Sequence, residues 1–235
     1  MLPGFNVKQI GDLMTSGYLI SPAQQLAVQS GIKKIIGLFW GPDHRSCEEM
    51  MRDNFFQSLK DIVSMLDDDS SDAIRQVSTI IKSYPTTESL LDSLETSYVR
   101  LFISDRNGII APVYESCYEF ENAPLMGNAA LRMQKLYASK SLSVAGSIHE
   151  PPDHISIELE YLYFLIEKGW DTGDSALIDE AASFASQIMI PWVSKLQERL
   201  TAEKRCRFYP LIVSILISLL DLVGRFDRVN SHITG

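Results

Sequence analysis

Apolar residues in this chain recur at intervals of three and four along most of its length, a period that puts them on one face of a helix. Met51, Phe55, Leu59, Ile62 and Leu66 form one stripe. Ile74, Val77, Ile81 and Tyr84 form a second, stopped by Pro85, and Leu91, Leu94, Tyr98 and Leu101 a third that opens after Thr86, Thr87 and Glu88. Ile155, Leu159, Leu162 and Ile166 make the next, followed by Leu177, Ala181, Phe184, Ile188, Trp192 and Leu196. The run from Phe208 to Val223 is apolar on nearly every side and belongs at the centre of a bundle. An earlier helix is predicted from Ser21 to Phe39, with Ser21 as N-cap and Pro22 at the first helical position, broken by Trp40-Gly41-Pro42-Asp43. No run alternates as a half-buried strand does, and the one β-like stretch, Ile109 to Val113, is short and carries Pro112. The spacing therefore predicts an all-α fold over residues 1–235, a single globular bundle of roughly eight to eleven helices. Two long irregular stretches, 104–125 and 140–152, interrupt it; the second is expected to act as a hinge between two helical halves.

Charge and composition narrow the function. The 235 residues carry a net charge of −9, which disfavours nucleic acid as a partner and favours basic ligands. Three scattered cysteines, Cys47, Cys117 and Cys206, form no C-x-x-C pair and fit a reducing, cytoplasmic setting. The N-terminal residues do not read as an export signal. The most apolar window, Phe208 to Leu220, is too short to cross a bilayer, so no stable membrane insertion is expected. Asp67-Asp68-Asp69-Ser70-Ser71-Asp72 reads as a solvated turn between helices, without the glycine and distal glutamate of a calcium loop.

Few residues suggest chemistry. His149-Glu150-Pro151-Pro152-Asp153-His154 holds two imidazoles and two carboxylates, which raises a metal-dependent hydrolase at His149, Asp153 and His154 as an alternative. Its spacing argues against that, because a helical zinc motif sets its histidines four apart and two prolines forbid helix here. Asp153 reads instead as the cap of a helix beginning at His154. His44 reads as a loop residue, and Ser116 and Cys117 have no assigned base. Glu158 and Glu160 do not share a helix face, so they make no catalytic dyad with each other. No phosphate-cradling glycine loop or G-x-S-x-G elbow is present. Tyr114, Tyr118 and Phe120 interleave with Glu115, Glu119 and Glu121, an arrangement that suits a basic and apolar peptide, or that simply packs a loop onto the bundle.

Several ordered blocks carry a resemblance: Leu38-Phe39-x-x-Pro42; Leu94-Glu95-x-x-Tyr98-x-x-Leu101-Phe102; Pro112-Val113-Tyr114-Glu115-Ser116-x-Tyr118; Leu125-Met126-Gly127; and Glu150-Pro151-Pro152-Asp153-His154-x-x-x-Glu158-Leu159-Glu160-Tyr161-Leu162. With Pro191-Trp192 and Phe208-Tyr209 they resemble the TorD/DmsD family of cytosolic molybdoenzyme-maturation chaperones across residues 20–222. The resemblance implies an all-helical chaperone, not an enzyme and without a cofactor of its own. Such a chaperone binds the N-terminal twin-arginine signal or the apoprotein of a molybdopterin oxidoreductase and assists cofactor insertion before export. A nitrate-reductase-delta-like chaperone of a non-exported enzyme is the alternative. The implied peptide-binding residues are Tyr114, Glu115, Ser116, Tyr118, Glu150, Pro151, Asp153 and His154, with Leu101 and Phe102 as apolar floor. Asp153 is expected to offer one oxygen to a ligand arginine, and His154 a pH-sensitive donor. The resemblance also implies a monomer or a domain-swapped homodimer. One departure is Ile188, where relatives often carry a histidine.

Overall fold

Ser21 opens the first helix through a reciprocal cap. Its hydroxyl accepts from the Gln24 amide at 3.3 Å and the Gln24 side chain accepts from the Ser21 amide at 2.7 Å, satisfying donors that have no partner inside the helix. Helix α1 runs Pro22–Trp40 and breaks at Gly41, whose φ of 112° disfavours any side chain. The chain is described here by a computed structural model, which covers residues 21–226 except 53–58, 60–64, 67, 107, 122, 144–145 and 147. Residues 1–20, Phe55, Ile62 and Asp67 of the sequence analysis lie outside the described residues.

Helix α2 (His44–Met51) follows at once, because the Asp43 carboxylate accepts from the Ser46 amide at 2.7 Å. His44 is therefore the first residue of a helix and not part of a loop. Helix α3 (Asp68–Lys82) corrects a second expectation. From Asp68 onward the acidic segment is the first turns of a helix, where carboxylates match the positive end of the dipole. Asp72 also accepts from Arg75 at 3.1 Å and Gln76 at 2.6 Å. Helix α4 (Thr87–Tyr98) is capped by Thr86 and continues into a wider π turn, Val99–Ile103.

A 3₁₀ turn (Glu115–Tyr118) leads to α5 (Asn128–Ser139), and the two-proline turn leads to α6 (Ile155–Thr172), which stops at Gly173 with φ 67°. The stripe from Leu177 to Leu196, legible as one helix, is α7 (Ser175–Ser183), a π turn (Phe184–Met189) and α8 (Ile190–Ala202). Pro191 accounts for the interruption. It has no N–H, and its ring would strike the carbonyl one turn back, so the backbone opens until the Ile190 amide bonds to Ala185 instead.

Helix α9 (Phe208–Gly224) lies at the centre as its composition requires, packed on α1, α3, α7 and α8, with Ile212, Val213, Ile215, Leu216, Leu219 and Leu220 fully buried. Gly31 of α1 lets it pass close to α9, since a Cβ there would meet Leu219 at 3.2 Å. Helix α1 packs in turn along α6. Among the described residues no strand forms, and none of the helices is long and apolar enough to cross a membrane. An isolated antiparallel bridge between Tyr114 and His154 is the β-like element, and it positions the site.

Candidate functional site

The Pro112–Tyr118 segment and the Glu150–His154 turn, remote in sequence, are one backbone-bonded unit. The Glu115 amide donates to the Asp153 carbonyl at 3.0 Å, and the Ile155 amide to the Val113 carbonyl at 2.8 Å. The turn closes on itself where the His154 amide reaches the Pro151 carbonyl at 3.0 Å.

Asp153 serves this union instead of capping α6. It is 0% exposed, and its Oδ2 accepts from the Ser116 amide at 2.9 Å, an orphan donor at the start of the 3₁₀ turn. Its Oδ1 is buried too and has no donor among the described residues, so neither oxygen meets solvent in this structure. The cap of α6 is His154, whose Nδ1 accepts from the Ser156 amide at 3.1 Å. His154 is 3% exposed, stacked on Trp40 at 4.7 Å and 9°, with Tyr114 edge-on at 5.3 Å. Burial lowers its pKa to about 4 against the opposing pull of Glu150 and Asp153. The imidazole is neutral at pH 7 and is not the near-neutral proton donor that the sequence suggested.

Beneath the bridge lies a polar network that local spacing does not reveal. Glu115 pairs with Arg132 of α5 and faces Glu158, a fully buried residue whose Oε2 accepts from the Trp192 indole at 2.9 Å. Burial, and then the facing Glu115 carboxylate, push Glu158 well above the usual carboxylate range. Both causes act in the same sense, favouring the protonated form of Glu158. As expected, Glu158 and Glu160 part company: the first points inward, and the second is exposed.

The ten sequence candidates divide by accessibility. Leu101, Phe102, Ser116, Tyr118, Asp153 and His154 are buried; Tyr114, Glu115 and Pro151 are half-buried, and Glu150 is exposed. Leu101 and Phe102 are core, not an open floor: Phe102 packs edge-on against Tyr209 at 4.9 Å and Tyr98 at 5.2 Å. Tyr118 is a strut whose hydroxyl donates to the Pro112 carbonyl at 2.7 Å and whose ring lies under the Arg199 guanidinium at 4.4 Å. At the surface, the Tyr114 hydroxyl donates to Glu150 Oε2 at 2.7 Å. The Trp40 indole donates to Glu160 Oε1 at 3.2 Å. Sequence reasoning missed Trp40, Glu160, Arg132 and Trp192 as parts of the site. Trp40 stood in view beside Phe39 and was read only as a helix end.

His149 is exposed and is not brought together with Asp153 and His154 as ligands. Among the described residues no three of His, Cys, Asp or Glu are grouped to hold a metal ion. What the arrangement offers chemically is an acidic, aromatic surface on a rigid turn, suited to binding a cationic chain.

The fold and this surface can now be set beside known proteins. The model of the nitrate reductase delta subunit family matches residues 66–198, and this chain belongs to that family. The chaperone protein TorD of Vibrio parahaemolyticus serotype O3:K6 is 25% identical over 156 residues, 59% of this chain and 72% of that protein. The chaperone protein TorD of Aliivibrio salmonicida is 22% identical over 161 residues, 66% of this chain and 74% of that one. A solved structure described as a redox enzyme maturation protein, from Archaeoglobus fulgidus, superposes with a TM-score of 0.50 at 22% identity, covering 88% of this chain and 99% of its own, which supports the fold.

Proposed function

We propose that this chain is a cytoplasmic chaperone of molybdoenzyme maturation, binding the N-terminal twin-arginine signal or the apoprotein of a molybdopterin oxidoreductase before cofactor insertion and export. The membership of the family carries the reading, and the relatives named chaperone protein TorD support it. The accessible residues Tyr114, Glu150 and Pro151 are the proposed peptide contacts, with Glu115, tied down by Arg132, and the buried Asp153, His154, Ser116, Tyr118, Leu101 and Phe102 holding them in position. A net charge of −9 favours a basic leader. The segment 140–152 is the proposed hinge, through which a monomer would exchange halves to form a swapped dimer.

A second reading keeps the fold and changes the client. The matching family model is described as a nitrate reductase delta subunit, which favours assembly of a molybdoenzyme that is not exported. One experiment separates the two: co-purification from the host, followed by identification of the captured subunit. A partner with a twin-arginine leader supports the first reading and a leaderless molybdoenzyme subunit the second. Capture of neither, together with no binding of twin-arginine peptides, overturns both.

A further inference from the structure

Two exposed carboxylates are held by aromatic donors on one small surface. Tyr114 fixes Glu150 through its hydroxyl at 2.7 Å and Trp40 fixes Glu160 through its indole N–H at 3.2 Å. His154 touches both rings, stacked on one and edge-on to the other. Each donor engages a single oxygen of its glutamate and leaves the second without a donor among the described residues. The two members of the second arm come from different parts of the chain, Trp40 from the end of α1 and Glu160 from α6, and Trp40 is a position that the quoted motifs leave open.

We infer that Trp40 and Glu160 form a second cation receptor beside Tyr114 and Glu150, so that each arm takes one guanidinium of an adjacent arginine pair. This rests on the chaperone reading and deepens it by assigning residues to the two charges. In an extended peptide neighbouring side chains leave the backbone on opposite sides, so adjacent arginines need two separate receptors and not one acidic cluster. Arginine suits both arms, because its planar guanidinium pairs with a carboxylate and also stacks on an aromatic face. The floor between the arms is favourable to cations. His154 is held neutral and does not repel them, and next to it in sequence the buried Asp153 accepts one hydrogen bond and keeps its Oδ1 without a donor among the described residues. Each indole or phenol donor keeps its glutamate in one rotamer, which lowers the ordering cost when a ligand arrives.

The test uses the full-length protein and a labelled synthetic peptide with two adjacent arginines followed by an apolar run, together with two peptides in which the first or the second arginine is glutamine. Binding is read by fluorescence anisotropy for wild type, Glu150→Gln and Glu160→Gln. Both positions are exposed, and matching thermal melts confirm that the variants fold. Each substitution is expected to weaken the paired peptide about tenfold, a size typical of one lost charge-assisted contact. Glu160→Gln should cost nothing further on the peptide already lacking the arginine it reads, and Glu150→Gln nothing further on the other. Wild-type binding that Glu160→Gln leaves unchanged, or two variants coupled to the same arginine, would overturn the two-arm assignment alone. No binding by wild type would overturn the chaperone reading and the assignment with it.

Discussion

His154, the cap of α6, and Glu158, in its first turn, stand four residues apart and bind protons in opposite senses. His154 has a folded-state pKa near 4, below its ordinary 6.5, so between those values the folded protein binds fewer protons than the unfolded chain. Its contribution is present above pH 6.5 and is lost as pH falls toward 4, on the order of 3 kcal/mol in all. Replacing it by Asn retains a capping side chain and removes the titration. Urea unfolding of His154→Asn is expected to lose less stability than wild type between pH 7 and 4.5. Glu158 is raised, so the folded protein binds more protons than the unfolded chain above the ordinary carboxylate value. Its contribution is present at low pH and is lost as pH rises through the folded value. Glu115, Arg132 and Trp192 face it, and a glutamine there can still accept from the indole without carrying a titrating proton. Glu158→Gln should therefore melt increasingly above wild type as the buffer pH is raised above the ordinary carboxylate range. Asp153→Ala leaves the Ser116 amide buried without an acceptor, at a cost of about 1–3 kcal/mol by denaturant unfolding.

Between elements, the bridge makes the Pro112–Tyr118 segment and the start of α6 a cooperative pair. Hydrogen exchange should show the Glu115 and Ile155 amides losing protection together in Asp153→Ala, while Ile166, deep in the same helix, keeps its own. Loss of protection at Glu115 alone would contradict the coupling. The helices themselves were legible because local signals specify them: Ser21 with Pro22, Thr86 before its stripe, and the saturated apolar run of α9. The π turn before Pro191 was not, since apolar spacing of three and four tolerates an added residue without losing its face. The motif residues of the site were legible as types but not as roles. Asp153 has the residue type of a helix cap, and only the arrival of the Ser116 amide from a distant segment diverts it. Glu115 and Glu158, likewise, meet only after α6 has docked, and no window of sequence contains both.

At the scale of the whole chain, an excess of nine negative charges acts on any basic ligand before contact. Affinity for a twin-arginine peptide is expected to fall about tenfold or more as sodium chloride rises from roughly 0.05 to 0.5 M, with the loss falling mainly on the association rate. An affinity indifferent to salt would point to apolar burial as the driving force. The burial pattern around the two-proline turn also separates two kinds of position. Asp153 and His154 are sealed away and shape the turn, whereas positions 40, 150 and 160 lie at or near the rim. A change at the rim thus alters what a visiting chain meets while leaving the turn standing, whereas a change at Asp153 or His154 moves the whole platform, so recognition and scaffolding can be perturbed separately.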